Sequence, residues 1–421
     1  MRFFLKTFGC TLNQADGDAM RALLLADGAG EAESERDADV VVLNTCAVKR
    51  ATEQKIAERI KRVAASGKPL VVAGCLPASN RQLVEKIAPR ASVIGPGAVL
   101  RISEAARAAR AGERAVFLEW NGKESAPFVP QSPVARIPIS EGCLSSCSFC
   151  ATKLARPGLR SYSPQRIVER LRACAAAGAL EVQLTAQDVG AYGRDRGTNL
   201  EKLMEEIASA FASTSFRVRL GMINPEHALA LPRLPSLLAA EPFYHFLHLP
   251  VQSGSDVVLK VMKRRYTASD FEEVVARFRK EIPDITIATD VICGHPGESD
   301  EEFAATLALL ERARPDVVNV SRFSARPGTR AARMPQLPPS TINERTKRAS
   351  ELARKISLEK NLAWVGKTVE CVVLERARTP VARTRAYKHV ALEEGSMGDR
   401  VLAVITGVSS SCLKGKVKQR L

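Results

Sequence analysis

The sequence predicts an α/β fold in three parts: an N-terminal parallel-sheet α/β domain, a partial (β/α)6 barrel and a small C-terminal β-barrel. Three observations carry this. Residues 1–112 alternate short apolar runs with helix-length stretches, a pattern that gives parallel strands joined by crossover helices. Residues 135–362 repeat the pattern with six strand-like runs. Residues 363–421 turn to strand-like runs separated by Gly/Ser turns. At 421 residues and 45% hydrophobic, the chain has material for two or three well-filled cores.

In the first region, strands are predicted at Arg2–Phe8, Val40–Leu43, Leu70–Ala73 and Ser92–Ile94. Helices are predicted at Asp16–Ala26, where Met20, Leu23 and Leu24 share a face, at Ala51–Ala64, at Asn80–Ile87, and in an Ala/Arg-rich stretch reaching Arg110. Cys10 follows the first strand, Cys46 the second and Cys75 the third. Ligand sites of open parallel sheets lie beyond the carboxyl ends of the strands, so three thiols far apart in sequence can meet there. A lone Cys is ordinarily a small core residue; the same placement after three successive strands favours a shared site.

Residues 113–134, with Pro127, Pro130 and Pro133, read as a linker. Strands are then expected at 135–140, 180–185, 216–221, 244–249, 285–291 and 316–323, with helices at 165–177, 199–212, 268–281 and 300–313. After the first of these strands comes Glu141-Gly142-Cys143-Leu144-Ser145-Ser146-Cys147-Ser148-Phe149-Cys150. Soft thiolates this close together select zinc or an iron–sulfur cluster. A closed zinc site wants a fourth ligand nearby, yet the next Cys is Cys174 and the next His is His227. Three ligands suit a four-iron cubane with one iron free of protein.

Two later loops hold candidate ligand-binding groups. Thr185-Ala186-Gln187-Asp188 ends a strand with polar side chains suited to an amino acid moiety. Thr289–Glu298 ends another with Gly294 and Gly297, where backbone can approach a flat ring. Cys293 and His295 in that loop read as ordinary core and loop residues. Thr346–Leu362 reads as a basic amphipathic helix.

A net charge of +16 points to a polyanionic partner, nucleic acid above all. Residues 364–421 carry eleven basic against five acidic residues, so the C-terminal barrel is a candidate phosphate clamp. No apolar run has the length of a membrane span, and Lys6 interrupts the N-terminus too early for a signal peptide. These features predict a cytoplasmic protein that does not enter a membrane. Ten Cys in 421 residues fall short of a disulfide scaffold and read as metal ligands or core thiols.

Cys143-x3-Cys147-x2-Cys150, with the aromatic Phe149 before the last Cys, resembles the signature of the radical-SAM enzymes. With the N-terminal thiols and the basic C-terminal barrel, which is similar to a TRAM RNA-binding module, the whole chain resembles the methylthiotransferases. It stands nearest the archaeal and eukaryotic type acting on N6-threonylcarbamoyladenosine in tRNA. The stretches carrying this are Gly9–Gln14, Asn44–Lys49, Ala151–Arg156, Gly190–Asp195, Arg219–Met222, His248–Ser255 and Arg326–Thr329. The resemblance implies that Cys143, Cys147 and Cys150 bind the 4Fe-4S cluster that cleaves S-adenosylmethionine (SAM). Cys10, Cys46 and Cys75 bind an auxiliary 4Fe-4S cluster that delivers sulfur, and Phe149, Gln187, Asp188 and Gly294 line the SAM pocket. It also implies a tRNA anticodon stem-loop as partner and an electron donor whose identity the sequence does not name; no stable protein partner is inferable. Position 295 holds His where the family has Phe, and Pro157-Gly158 replaces a Gly-led pair. The rivals are a methylthiotransferase acting on a ribosomal protein side chain and a non-catalytic iron–sulfur RNA-binding protein; the +6 balance of the last domain favours RNA over the first, and six thiols with a full barrel argue against the second.

Overall fold

A computed structural model of the chain describes every residue except Lys49, and Ala51 by its backbone alone. Lys49, the end of the Asn44–Lys49 motif, and the side chain of Ala51, at the start of a predicted helix, therefore lie outside the described residues. The chain forms two compact units: residues 1–130, 136–170 and 325–333 in one, and 131–135, 171–324 and 334–421 in the other. The Cys143 loop thus belongs to the unit of the N-terminal domain, not to that of most of the barrel.

The first unit is built on a six-stranded parallel sheet ordered β2-β1-β3-β4-β5-β6. Its strands are β1 (Arg2–Thr7), β2 (Gly30–Glu31), β3 (Val40–Thr45), β4 (Leu70–Gly74), β5 (Ser92–Ile94) and β6 (Val116–Phe117). Helices α1 (Thr11–Ala26), α2 (Arg50–Ala65), α3 (Cys75–Ser79), α4 (Arg81–Ile87) and α5 (Ile102–Arg110) make the crossovers. Strand alternation divides the core. Val40 and Val42 face Met20, Leu24 and Ile102, whereas Val41 and Leu43 face Ile56, Ile60 and Leu76. With both faces covered, β3 is buried at every residue, which is why it reads as one apolar run.

The stretch expected as a linker holds β6, which pairs with β5 from Val93↔Val116 to Ile94↔Phe117. A strand of two residues is too short to leave a periodic trace in sequence. Later in this unit, β7 (Val134–Pro138) leads to β8 (Ser140–Glu141), which pairs antiparallel with β9 (Arg160–Ser161). Between them lie the Cys143 loop and α6 (Thr152–Ala155).

In the second unit the strands are β10 (Glu181–Thr185), β11 (Arg217–Leu220), β12 (Phe246–His248), β13 (Thr286–Cys293) and β14 (Val317–Arg322). β10 pairs parallel with β11, and β12 with β13 and β14. Single bridges, Val218↔Phe243 and Met222↔His248, join the two sets. The start of β7 adjoins β10, where Pro133 O accepts from Leu180 N and Glu181 N. With β7 the chain has the six strands expected of a partial barrel.

The connecting helices are α7 (Pro164–Ala176), α8 (Leu200–Phe211), α9 (Pro225–Leu229), α10 (Leu234–Ala239), α11 (Asp256–Val261), α12 (Ala268–Glu281) and α13 (Asp300–Ala313). Reciprocal capping boxes, Thr267 with Asp270 and Ser299 with Glu302, start α12 and α13 at their predicted first residues. Helix α14 (Pro339–Leu362) begins seven residues before the expected Thr346, because Pro339 suits a first helical turn.

The C-terminal strands β15 (Thr368–Arg376), β16 (Pro380–Thr384), β17 (His389–Leu392), β18 (Arg400–Val408) and β19 (Leu413–Arg420) close a barrel in the order β15-β16-β17-β19-β18. Its small core gathers Cys371, Val373, Val390, Val401, Ile405 and Leu413. Among the described residues, no helix is long and apolar enough to cross a membrane.

Candidate functional site

The three N-terminal cysteines come together at the carboxyl end of the sheet. Cys10 caps α1 with extended backbone, and its carbonyl accepts from Gln14 N at 3.0 Å. Gly9, at φ +99°, runs so close to the second loop that a Cβ there would lie 2.5 Å from Cys46 Cβ and 2.6 Å from Cys46 Sγ. Gly74, at φ +92°, likewise has no room for a Cβ, which would fall 2.4 Å from Asn44 Oδ1. Asn44 Nδ2 donates to Asn13 O at 2.8 Å, Asn13 Nδ2 to Phe8 O at 2.6 Å, and Thr45 Oγ1 to Ala73 O at 2.6 Å. These bonds fasten three loops from distant parts of the sequence into one rim.

Burial pushes the Cys46 thiol up to about 11, with the charges of Cys10 and Cys75 adding to the rise and the Val48 amide opposing it. A metal binding here therefore has to displace a proton.

The second thiol set is shaped by its own loop. Gly142 turns at φ +72° against Gly158, whose carbonyl oxygen would stand 1.8 Å from an added Cβ. Ser145 N points to Cys143 Sγ at 3.4 Å, Cys150 N donates to Cys147 O at 3.2 Å, and Lys153 Nζ donates to Cys143 O. Ala331 N donates to Ser148 O at 2.8 Å. All three thiols are half-buried.

No group of three His, Cys, Asp or Glu among the described residues closes on a single metal ion. A cubane differs from such a site, since each of its thiolates binds a different iron. Three thiols per rim and glycine-lined approaches fit two such clusters. The Cys143 set was expected in a domain apart from the N-terminal thiols; both sets lie in one compact unit.

Between the two rims lies a feature that sequence reasoning missed. Asp16 of α1 pairs with both Lys123 and Arg156, and both cations also reach Glu141, at 3.2 Å and 3.5 Å. Tyr162 OH donates to the other oxygen of Glu141 at 2.6 Å. Each of the four charged side chains is at most 3% exposed. Asp16 stands six residues after Cys10, and Glu141 two before Cys143, so the network braces both loops. Arg326 works similarly, pairing with Glu53 and donating to Ala47 O at 2.6 Å beside Cys46. The only trace in the sequence was Arg156 at the end of one resemblance stretch and Arg326 at the start of another.

Of the residues expected around SAM, Phe149 stands half-buried in the Cys143 loop, in the first unit. Gln187, Asp188 and Gly294 lie in the second, after β10 and β13. Gln187 is half-buried. Asp188 is fully buried, and its carboxylate accepts from Gly190 N, Asn224 N, Asn224 Nδ2 and His227 Nδ1 at 3.1, 3.3, 2.5 and 2.7 Å. With its oxygens engaged by its own chain, Asp188 braces the loop that carries Gln187. Gly294, at φ +80°, is approached by Ile342 of α14, 2.5 Å from where a Cβ would sit. Helix packing alone leaves no room for a side chain there.

His295 is wholly buried, edge-on to Phe323 at 5.2 Å, with Nδ1 2.9 Å from Pro296 O. Burial lowers its pKa from 6.5 to about 4, against a small lift from the Pro296 carbonyl. Above pH 6.5 it is neutral folded or unfolded and adds no pH dependence. Between 6.5 and 4 the unfolded chain takes up the proton alone, so stability falls with pH. His295→Phe should remove about 2 kcal/mol of the stability lost between pH 7 and pH 5, measured by denaturant unfolding at both.

The fold and the Cys143 loop are those expected of a radical-SAM enzyme, and the second set of thiols offers ligands for a further cluster. Residues 137–310 match the radical SAM superfamily, and residues 2–95 match the uncharacterized protein family UPF0004. A probable threonylcarbamoyladenosine tRNA methylthiotransferase of Pyrococcus horikoshii is 39% identical, covering 99% of both chains. One from Archaeoglobus fulgidus is 40% identical with the same coverage, and the threonylcarbamoyladenosine tRNA methylthiotransferase of Homo sapiens is 35% identical over 99% of this chain and 74% of its own. In fold, the radical SAM methyltransferase TsrM from Kitasatospora setae superposes with a TM-score of 0.57 at 15% identity, covering 76% of this chain and 72% of that one. This chain belongs to the threonylcarbamoyladenosine tRNA methylthiotransferase family. Its cofactors are two 4Fe-4S clusters and SAM.

Proposed function

We propose that this protein adds a methylthio group to C2 of N6-threonylcarbamoyladenosine at position 37 of tRNA. The observation carrying this is the meeting, in one compact unit, of two three-thiol rims braced by a shared buried ion network. Radical chemistry alone needs one rim; delivery of sulfur gives the second a purpose. When bound, the clusters supply the electron that cleaves SAM and the iron that holds the sulfur to be transferred. The chain's own part is to fix both rims, through Asp16, Arg156 and Glu141, and to hold the nucleic acid.

For the latter, Lys414 and Lys416 alternate along β19, Lys418 and Arg420 follow across a shift in its pairing, and all four are exposed as a basic stripe. Such a stripe suits the phosphates of an anticodon stem, with the loop free to splay its base out. The clamp is narrower than the sequence count, because Arg383 and Lys388 are buried in ion pairs with Glu181 and Asp316. Working on tRNA places the enzyme in the cytoplasm, where a reductant must supply its electrons. Mass spectrometry of tRNA nucleosides from a strain lacking the gene tests the assignment. The methylthiolated nucleoside should vanish and N6-threonylcarbamoyladenosine should accumulate; an unchanged nucleoside profile would reject it.

A further inference from the structure

The second unit encloses a cavity of about 520 Å³ between the inner face of β11–β14, helix α14 and the C-terminal barrel. Arg219, Phe246, His248, Asn319, Tyr387 and Lys388 are on its walls. Several of the polar groups there are already engaged. Lys388 is held by Asp316 at 2.9 Å and Asn361 at 3.1 Å. His248 Nε2 lies 3.1 Å from Asp290, whose other oxygen accepts from Asn319 at 2.8 Å.

Arg219 is not so engaged, and in the same cavity the Thr286 hydroxyl is also buried without a partner. Its guanidinium lies 4.9 Å from the Phe246 ring centroid and 5.4 Å from that of Tyr387. Its Nε is shut off from solvent without a hydrogen-bond partner, and among the described residues no carboxylate pairs with it. Two positions earlier on the same strand, Arg217 has its carboxylate in Glu241 at 2.5 Å. The acid on the neighbouring strand, Glu181, is already used by Gln183, Tyr387 and Arg383.

An arginine beside two aromatic rings on the wall of a cavity, with no carboxylate to pair with, suits a planar, two-oxygen anion. Arg219 is second from the carboxyl end of β11, the end at which barrel chemistry lies. A base entering there with one edge toward the mouth would carry a substituent on its other edge down to Arg219. Resting on the function proposed above, we infer that Arg219 binds the carboxylate of the threonylcarbamoyl group and that this cavity is what distinguishes the modified adenosine from a plain one. The flat urea linking carboxylate to base matches the aromatic walls of Phe246 and Tyr387.

The test compares two tRNAs that differ only at position 37, one with threonylcarbamoyladenosine and one with adenosine. Equilibrium binding and kcat/KM are measured with the cluster-loaded full chain, its Arg219→Gln and its Arg219→Lys. The wild type should prefer the modified tRNA, and Arg219→Gln should shrink that preference roughly 100-fold, since a site built around a charged group strongly rejects a partner lacking it. Arg219→Lys, which keeps the charge without the fork, should retain part of it. Equal weakening of both tRNAs by Arg219→Gln would mark a contact to backbone phosphate and overturn the inference, as would a preference left intact. Failure of the wild type to modify either tRNA would instead sink the underlying function.

Discussion

Alanine at Cys143, Cys147 and Cys150 together should abolish SAM cleavage and leave about four irons per chain, held by Cys10, Cys46 and Cys75. Each set has its own loops, so removing one leaves the other's ligands in place. In the reverse experiment, Cys46→Ala should still release 5′-deoxyadenosine from SAM while making no methylthiolated product. Iron content, deoxyadenosine and product are measured on the same samples. Retention of about eight irons by the triple variant would undo the assignment of the Cys143 loop. Wild-type product from Cys46→Ala would return the N-terminal thiols to ordinary core residues. Because both rims share one compact unit, their independence rests on separate ligands, not on separate domains.

Asp16→Ala should cost about 3–5 kcal/mol, the usual penalty for breaking a buried ion pair from one side. It leaves Lys123 and Arg156 to share Glu141, with every one of these groups at most 3% exposed. The thermal midpoint of the apoprotein should fall by roughly 10 °C. Asp16→Asn keeps the hydrogen-bonding shape and loses the charge, and should fall between. A loss below about 1 kcal/mol for Asp16→Ala would mean that water reaches the network and screens it. Since Asp16 lies on the helix capped by Cys10 and Glu141 leads into Cys143, the variant should also load less iron at both sites.

The long elements were legible in the sequence because each had a strong period. Val40–Leu43 is buried on both faces, and the predicted bounds of α12 and α13 match the structure because capping boxes mark their starts. The short edge strands β2 and β6 were invisible, since two residues cannot establish a period. At the site, the thiols could be found because spacing and strand placement are local properties. The Asp16–Arg156 pair could not, because its members lie 140 residues apart and neither is unusual where it stands. The bonds that hold Asp188 were hidden for a related reason. A polar residue after a strand looks available to a ligand until the chain that satisfies it, here Asn224 and His227, is folded around it.

Lys388 and Arg383 lie inside the seam joining the C-terminal barrel to the rest of its unit, where Asp316 and Glu181 hold them. Cutting the barrel away would strand two carboxylates without their cations, so the last fifty-odd residues are no detachable handle. The basic stripe of β19 and the cavity holding Arg219 are therefore fixed points on one body, and whatever strand rests on the stripe meets the cavity at a set reach. On the function proposed here the fold would act as a ruler: of all the bases in a bound RNA, those a given number of nucleotides from the gripped phosphates would be offered to the chamber. Selection by distance would then come before selection by chemistry, and the enzyme could pass over identical adenosines elsewhere without inspecting them.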